Sequence, residues 1–437
     1  MKFRPFSCLF AAGVLAVAAT LPARAQGAFD PSSLTLEAAE ARLATRNREI
    51  ALARRALEQS RAEVMVAGQR PNPQLSFTVQ NINPNRGIGG GDWRGRTVDS
   101  IVRVDQLIER GGKSELRVET AQRLAAAAGE DLAEVTRQQT LVLRNAYYDL
   151  LAAQEKEAAA AEAAQLFDRT VEAAQTRLRA GDIAASDLSR IRVDALRARN
   201  EARAAAGEAA RARLDLAHAI GADADPQLLR AVSPWPPRDD GQSWSEVQLE
   251  ARGDVRAARA RVAAADKARD LAQASRSRDV LVGAQYEHWP NRADANNQGT
   301  GNSFGVALSV PLFLRHRYEG EIARAQADWY AARDQLELVL ATARTEVARA
   351  SAGLAAARDR LSRLEVELLP EAARTMAAAE FAYRNGASGV MDLLDARRVM
   401  RAVQSEAAAA RAEYAKARAA FALGRGEGAA PDREALR

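Results

Sequence analysis

The chain carries one pattern twice. Arg179, Gly181, Asp187, Leu188, Arg192 and Glu201 recur 205 positions later as Arg384, Gly386, Asp392, Leu393, Arg397 and Glu406. The same offset takes Glu49-Ile50 to Asp254-Val255, Leu75 to Val280, and Leu107-Ile108 to Leu312-Phe313. Ala and Arg are too abundant here for single matches to count, so the shared register of Gly, Asp, Leu and Arg carries the inference. A unit this long is a tandem duplication of a whole assembly, far larger than a solenoid repeat. Each copy reads as helix, two strands, very long helix, turn and return helix. The expected organisation is a signal peptide over 1–25, a first repeat over 26–222, an irregular connector over 223–243, a second repeat over 244–424 and a flexible tail over 425–437.

The N-terminus fixes the compartment. Lys2 and Arg4 precede an apolar run from Phe6 to Leu21, and Ala23-Arg24-Ala25 follows. A charged start, a short hydrophobic stretch and an A-x-A site describe a secretory signal peptide cut after Ala25. The run is short for a membrane anchor. The single cysteine, Cys8, lies within it, so the exported chain is expected to hold no thiol, disulfide or lipid-bearing cysteine. The formal net charge of +5 falls by three, to +2, when Lys2, Arg4 and Arg24 leave. Arg and Glu interleave along the remaining helices, the pattern of a solvated face and not of a nucleic-acid partner. No later segment has the apolar length of a transmembrane helix.

Helical periodicity is clearest in the second copy. Leu340, Val347, Leu354, Leu361 and Leu368 fall at steps of seven, with Leu336, Ala343, Ala350, Ala357 and Leu364 as the companion series. That alternation is the seam of a left-handed coiled coil. The equivalent helix of the first copy spans about Lys113 to Leu178 and would be roughly 100 Å long. A helix of that length needs partners throughout. Each long helix ends at a glycine, Gly181 or Gly386, as a left-handed C-cap requires. Two antiparallel hairpins therefore project, with tips near 181 and 386. Pro370 reads as a kink, because apolar spacing resumes beyond it.

Between the first helix and each long one lie two alternating segments. The expected strands cover about 73–84, 97–108, 279–289 and 303–314. Each has about ten residues, the span of a tilted membrane strand. The loops between them, Asn81–Arg96 and Pro290–Asn302, are rich in Gly, Asn and Asp. Small soluble hairpins capping a bundle are the alternative. Four strands are too few for a closed barrel, and a spanning sheet must close. Two chains would give eight strands and three would give twelve.

Sites of covalent chemistry are not found. Gly112-Lys113-Ser114 lacks the glycine that a phosphate loop needs five positions earlier, where Leu107 stands. The Gly87–Gly95 run reads as an exposed loop, lacking the context of a dinucleotide fingerprint. His218, His288 and His316 are scattered, giving no metal-ligand cluster. No cofactor and no enzymatic activity are expected.

Several motifs make the chain recognisable. Arg70-Pro71-Asn72-Pro73-Gln74-Leu75 leads into the first strand, and Gln106-Leu107-Ile108-Glu109-Arg110-Gly111-Gly112-Lys113 into the first long helix. Val310-Pro311-Leu312-Phe313 precedes the second, while Tyr383-Arg384-Asn385-Gly386 and Leu393-Leu394-Asp395-Ala396-Arg397 flank the second tip. In this order the chain resembles the TolC-like outer-membrane efflux family, with the CzcC/CusC-like heavy-metal branch as its nearest likeness. The resemblance implies a mainly α protein with a transmembrane β-barrel portion: a homotrimer with a trimeric α-barrel below a twelve-stranded barrel, four strands per chain. It further implies a periplasmic adaptor (membrane fusion) protein and an inner-membrane pump of the resistance-nodulation-division type. Heavy-metal cations are the implied cargo, with organic toxins or drugs, and a periplasmic coiled-coil adaptor or scaffold role, as alternatives. The acylated N-terminal cysteine of some relatives in that branch has no counterpart here.

Candidate functional residues lie at the tips. In a ring of identical chains one axis-facing carboxylate becomes a ring of charge, able to gate or select cations. Asp182, Asp187, Asp392 and Asp395 are the candidates for such a constriction. Asp187 and Asp392 also suit ordinary placement near a helix N-terminus. Arg192 and Arg397 are possible partners for these carboxylates. Gly181, Ala185, Ser186, Gly386, Ser388 and Gly389 form the expected adaptor-docking tips.

Overall fold

A computed structural model describes residues 30–82, 84–85, 98–221, 225–238, 244–289 and 301–427. The signal peptide, most of both strand-connecting loops, parts of the connector and the end of the tail lie outside them. In the first copy, α1 (Leu36–Arg46) and α2 (Arg48–Gly68) precede β1 (Gln74–Gln80) and β2 (Asp99–Ile108). The hairpin α3 (Lys113–Arg179) and α4 (Ala185–Ala219) follows. The second copy repeats the order with α5 (Glu246–Glu250), α6 (Gly253–Ala274), β3 (Val280–Trp289) and β4 (Gly301–Ser309). Its long helix is α7 (Glu319–Arg363), a π turn (Leu364–Leu368) and α8 (Leu369–Arg384), and α9 (Val390–Gly424) returns.

Where one leading helix was expected in each copy, two are found. Thr35 caps α1 through its hydroxyl, which accepts from the Ala38 N–H, and Asn47 then starts α2 by accepting from Ile50 at 3.0 Å. The Asn47 amide also donates to the Ala219 carbonyl at the end of α4, at 3.0 Å. Exactly one offset later, Arg252 lies between α5 and α6 and donates to the Gly424 carbonyl ending α9, at 2.8 Å. Terminal helical carbonyls lack intrahelical partners. Both copies satisfy one from the same place with different side chains.

The long helices keep their phase until the π turn. Ala343, Val347, Leu361 and Leu364 are buried, as the seam requires, but Leu368 is 44% exposed and Ala372 is buried in its stead. A π turn inserts extra backbone into the α-helical phase and rotates the face that follows. Pro370, near the start of α8, falls where the wider turn absorbs its missing N–H. Helical backbone thus runs on through Pro370.

At the other end, Gly111 and Gly112 take φ of 77° and 70° to turn β2 into α3. A Cβ on Gly111 would lie 2.4 Å from Ser277 Oγ. In the second copy Tyr318 makes the turn into α7 at φ 63°.

The four strands form one antiparallel sheet in chain order, so the central β2–β3 pairing joins the two copies. β1 is shorter than the segment expected over 73–84. β4 begins earlier and ends sooner than expected over 303–314, at Ser309, ahead of Pro311, which has no N–H to give a ladder. Beneath the sheet, α3 packs on α2, α4, α6 and α9, and α7 packs on α6 and α9. A core of Leu143, Tyr147, Leu150, Leu216 and Ile220 sits midway along the helices. There the Tyr147 hydroxyl donates to Leu34 O and accepts from Ser233 N, both at 2.9 Å, tying the N-terminal segment and the connector to α3.

Candidate functional site

The sheet separates its two faces residue by residue. Antiparallel register aligns Phe77, Val102, Tyr286 and Phe304 in one row, and Leu75, Val104, Ala284 and Val306 in the next. Phe304 and Val306 are 85% and 86% exposed, and Leu75 and Phe77 are also open. The opposite face carries Ser76, Arg103, Gln285 and Gly305 in one row, and Thr78, Ile101, Glu287 and Ser303 in another. An open apolar face opposite a polar one, on strands of up to ten residues, is the pattern of a membrane barrel wall. On the polar face Arg103 Nε holds Asp105 at 2.8–2.9 Å, and Gly283 leaves them room, since a Cβ there would fall 2.3 Å from the Asp105 carboxylate. β1 and β4 each keep one edge unpaired within the chain.

A polar collar joins sheet to helices. Lys113 Nζ donates to Asp279 at 2.9 Å and to Ser277 O at 2.8 Å, linking the start of α3 to the start of β3. Arg117 grips Glu109 through two bonds of 2.8 and 3.0 Å and donates Nε to Ala67 O. The Arg117 hydrogen bond holds the Glu109 carboxyl below its ordinary value. Among the described residues no helix is long and apolar enough to cross a membrane.

At the far ends, both tips close identically. Gly181 (φ 82°) and Gly386 (φ 70°) stop their helices, with Asp182 N bonded to Arg177 O and Ala387 N to Ala382 O at 2.9 Å. This is the backbone pattern of a Schellman cap. Of the expected docking residues, Gly181, Ala185, Ser186, Gly386 and Gly389 are exposed and Ser388 is half-buried.

The candidate carboxylates fare differently. Asp187 and Asp392 occupy the third positions of α4 and α9, where a negative charge meets the positive helix end. Together with Asp182 they make no ion pair among the described residues. Asp395 does, with Arg398 at 2.6 Å. Arg398 reaches on to Asp194 of α4, a buried carboxylate, at 2.5 Å. The neighbouring Arg397 turns to Glu380 on α8 at 3.8 Å and not to a tip carboxylate, while Arg192 is exposed.

Asp194 and Arg398 were therefore missed. Leu188, Ile191, Ala195 and Ala198 form the buried stripe of α4, and Asp194 interrupts it. A charge on an apolar stripe was the available signal. Two further ties clasp the hairpins at matched heights: Arg401 to Glu201 at 2.6 Å, and Arg177 to the Tyr383 hydroxyl at 3.2 Å. Beneath the ion pairs Leu394 of α9 enters the cluster of Leu188 and Ile191. The two tips of one chain are thus held together by polar ties around a small apolar contact.

Known proteins share this architecture. The family model for outer membrane efflux proteins matches residues 40–222 and 244–425, once for each copy. The cobalt-zinc-cadmium resistance protein CzcC of Cupriavidus metallidurans is 28% identical over 374 residues, 84% of each chain. Among solved structures, CusC superposes with a TM-score of 0.72 at 17% identity, covering 90% of this chain and 92% of that one. The open state of the Neisseria gonorrhoeae MtrE outer membrane channel gives 0.73 at 18%, covering 91% and 89%.

Proposed function

The chain belongs to the outer membrane efflux protein family, and from that premise we propose that it is the outer-membrane duct of a tripartite pump for heavy-metal cations. It resides in the outer membrane with its helices in the periplasm. Three chains, each giving four strands, close a twelve-stranded barrel. The unpaired outer edges of β1 and β4 support that reading, because a spanning sheet must satisfy every backbone group. The helical hairpins continue the duct towards an adaptor and an inner-membrane pump of the resistance-nodulation-division type. Gly181, Ala185, Ser186, Gly386, Ser388 and Gly389 form the surface that meets the adaptor. Asp182, Asp187, Asp392 and Asp395 form the charged constriction, and the Asp194–Arg398–Asp395 tie sets how closely the hairpins approach.

The metal cargo rests on one observation: the likeness to CzcC extends over most of both chains. Among the described residues no group of three or more His, Cys, Asp and Glu side chains is placed to hold a metal. The duct therefore needs only to pass a cation, with selection made by the pump. A deletion strain, complemented with the intact gene, tests the cargo on cobalt, zinc and cadmium salts beside a panel of organic drugs. Loss of metal tolerance alone is expected. Sensitivity to the organic panel with unchanged metal tolerance would establish the organic-toxin reading. Crosslinkers placed at Ala185 and Ser388 test the docking surface and are expected to capture the adaptor; failure at both sites counts against these tips.

A further inference from the structure

Midway down the helices the second copy departs from the first in a way that duct formation does not require. A cavity of about 600 Å³ lies over α9, between α3 and α7. Ala415, Ala419 and Ala422 form its floor, and Leu36 and Pro236 cover one side. Among the described residues four guanidiniums line it, from Arg144, Arg358, Arg418 and Arg425, with one carboxylate, Glu427. Over the whole chain 62 basic residues stand against 57 acidic ones, so this ratio is local.

We propose that this cavity binds a small organic anion, with its carboxylate or phosphate held by the four arginines and its apolar body on Tyr148, Leu354 and Phe421. The volume falls within the usual range for small-molecule sites. Arginine presents five N–H donors in a rigid fork suited to either oxyanion. Arg144 uses Nε towards Glu40 at 2.7 Å, Arg425 uses Nη2 towards Glu427 at 2.5 Å, and Arg358 Nε lies 3.5 Å from Asp359.

Comparison of the copies gives an independent argument. One offset earlier, Arg425 corresponds to Ile220 and Arg358 to Ala153, both buried in the apolar core. At these two positions the first copy buries apolar side chains, and the second lines a cavity with guanidiniums. The fold stands with either solution, so the basic cavity answers to a ligand. Arg144 also lies 31 residues beyond Lys113 along α3, about 45 Å from the sheet. Outer-membrane head groups are out of reach, and the anion must come from the periplasmic space.

Two probes sharing a phenyl body, phenyl phosphate and 3-phenylpropionate, separate phosphate from carboxylate recognition. Titration calorimetry on the purified full-length assembly is expected to show saturable binding of at least one, weakening with salt. The double variant R358A/R418A should weaken it at least about tenfold. Ala355→Trp, which fills the cavity and keeps every charge, should abolish it, and R349A on an exposed face of α7 should leave it unchanged. Failure of both probes to saturate in the millimolar range, or binding that survives both Ala355→Trp and R358A/R418A, would overturn the assignment.

Discussion

Val306 and Ala307 are neighbours on β4 that the sheet register sends to opposite faces, and an arginine at each separates lipid from lumen. Val306 stands in the middle of the apolar rows, beside Ala284, and is 86% exposed in the single chain. An arginine there would meet hydrocarbon near mid-depth at a cost of about 2–4 kcal/mol, and the lost valine surface adds about 1 kcal/mol. The total is about 3–5 kcal/mol per chain, incurred three times in a trimer. Ala307 lies in the row of Gly283 and Asp105 on the polar face. An arginine there meets water and a carboxylate, and its expected cost is under about 1 kcal/mol. The assay is the fraction of each variant recovered from outer membranes as a heat-modifiable assembly on unboiled gels. V306R should be nearly absent, and A307R should assemble close to the wild-type level. Equal loss of the two, or the reverse order, would refute the assignment of faces.

The remaining predictions concern the polar ties. R398A leaves buried Asp194 without its cross-hairpin partner, so the tips should part and single-channel conductance in planar bilayers should rise; unchanged conductance removes the tie from the gating argument. Alanine at Asp392 or Asp395 should also raise conductance if either lines the constriction. R252A takes the donor from the Gly424 carbonyl and the ion pair from Asp254, while partly exposed Glu346 keeps Arg137 at 3.5 Å; it should cost about 2–3 kcal/mol, against about 1 kcal/mol for N47A, read as the order of denaturant midpoints. Glu109 is held below the ordinary carboxyl value of 4.5, so its pairing stabilises the folded chain fully above that pH and is lost as pH falls through the lowered value. Hydrogen-exchange protection at the start of α3, corrected for the intrinsic pH dependence of exchange, should fall in acid for the wild type and lose that dependence in E109Q.

The sequence displayed its backbone punctuation well. Gly181 and Gly386 were legible as helix stops because a left-handed cap admits few other residues, and both adopt that conformation. The sheet was legible because period-two alternation survives in Leu75, Phe77 and Val79 and in Phe304, Val306 and Leu308. Partner choice was not. Arg397 repeats Arg192 at the offset and so attracted attention, yet Arg398 makes the cross-hairpin tie and has Val193 as its counterpart. Repetition marks what both copies need, whereas a contact between the copies has no reason to repeat. The seam failed at Leu368 for a different reason: a sequence period assumes uniform helical phase, and the π turn breaks that phase.

The same logic explains the helix break that opens each copy. Asn47 and Arg252 share no chemistry, so residue matching passes over them, but each donates to the last carbonyl of its return helix, and those carbonyls are themselves one offset apart. What the duplication retains there is a backbone acceptor that must be satisfied, and either side chain suffices. Asn47 does this as a neutral amide. Arg252 adds a buried charge, which is met by Asp254 and Glu346 beside it, and Glu346 links it on to Arg137 of the first copy. The second copy repeats the choice at Arg425 and Arg358, where the first keeps Ile220 and Ala153. Charge entered the second copy where the first stayed apolar, while Gly181 and Gly386, and the carbonyls of Ala219 and Gly424, kept their roles. Departures from the 205-residue register are therefore the places to look for functions that the two halves do not share.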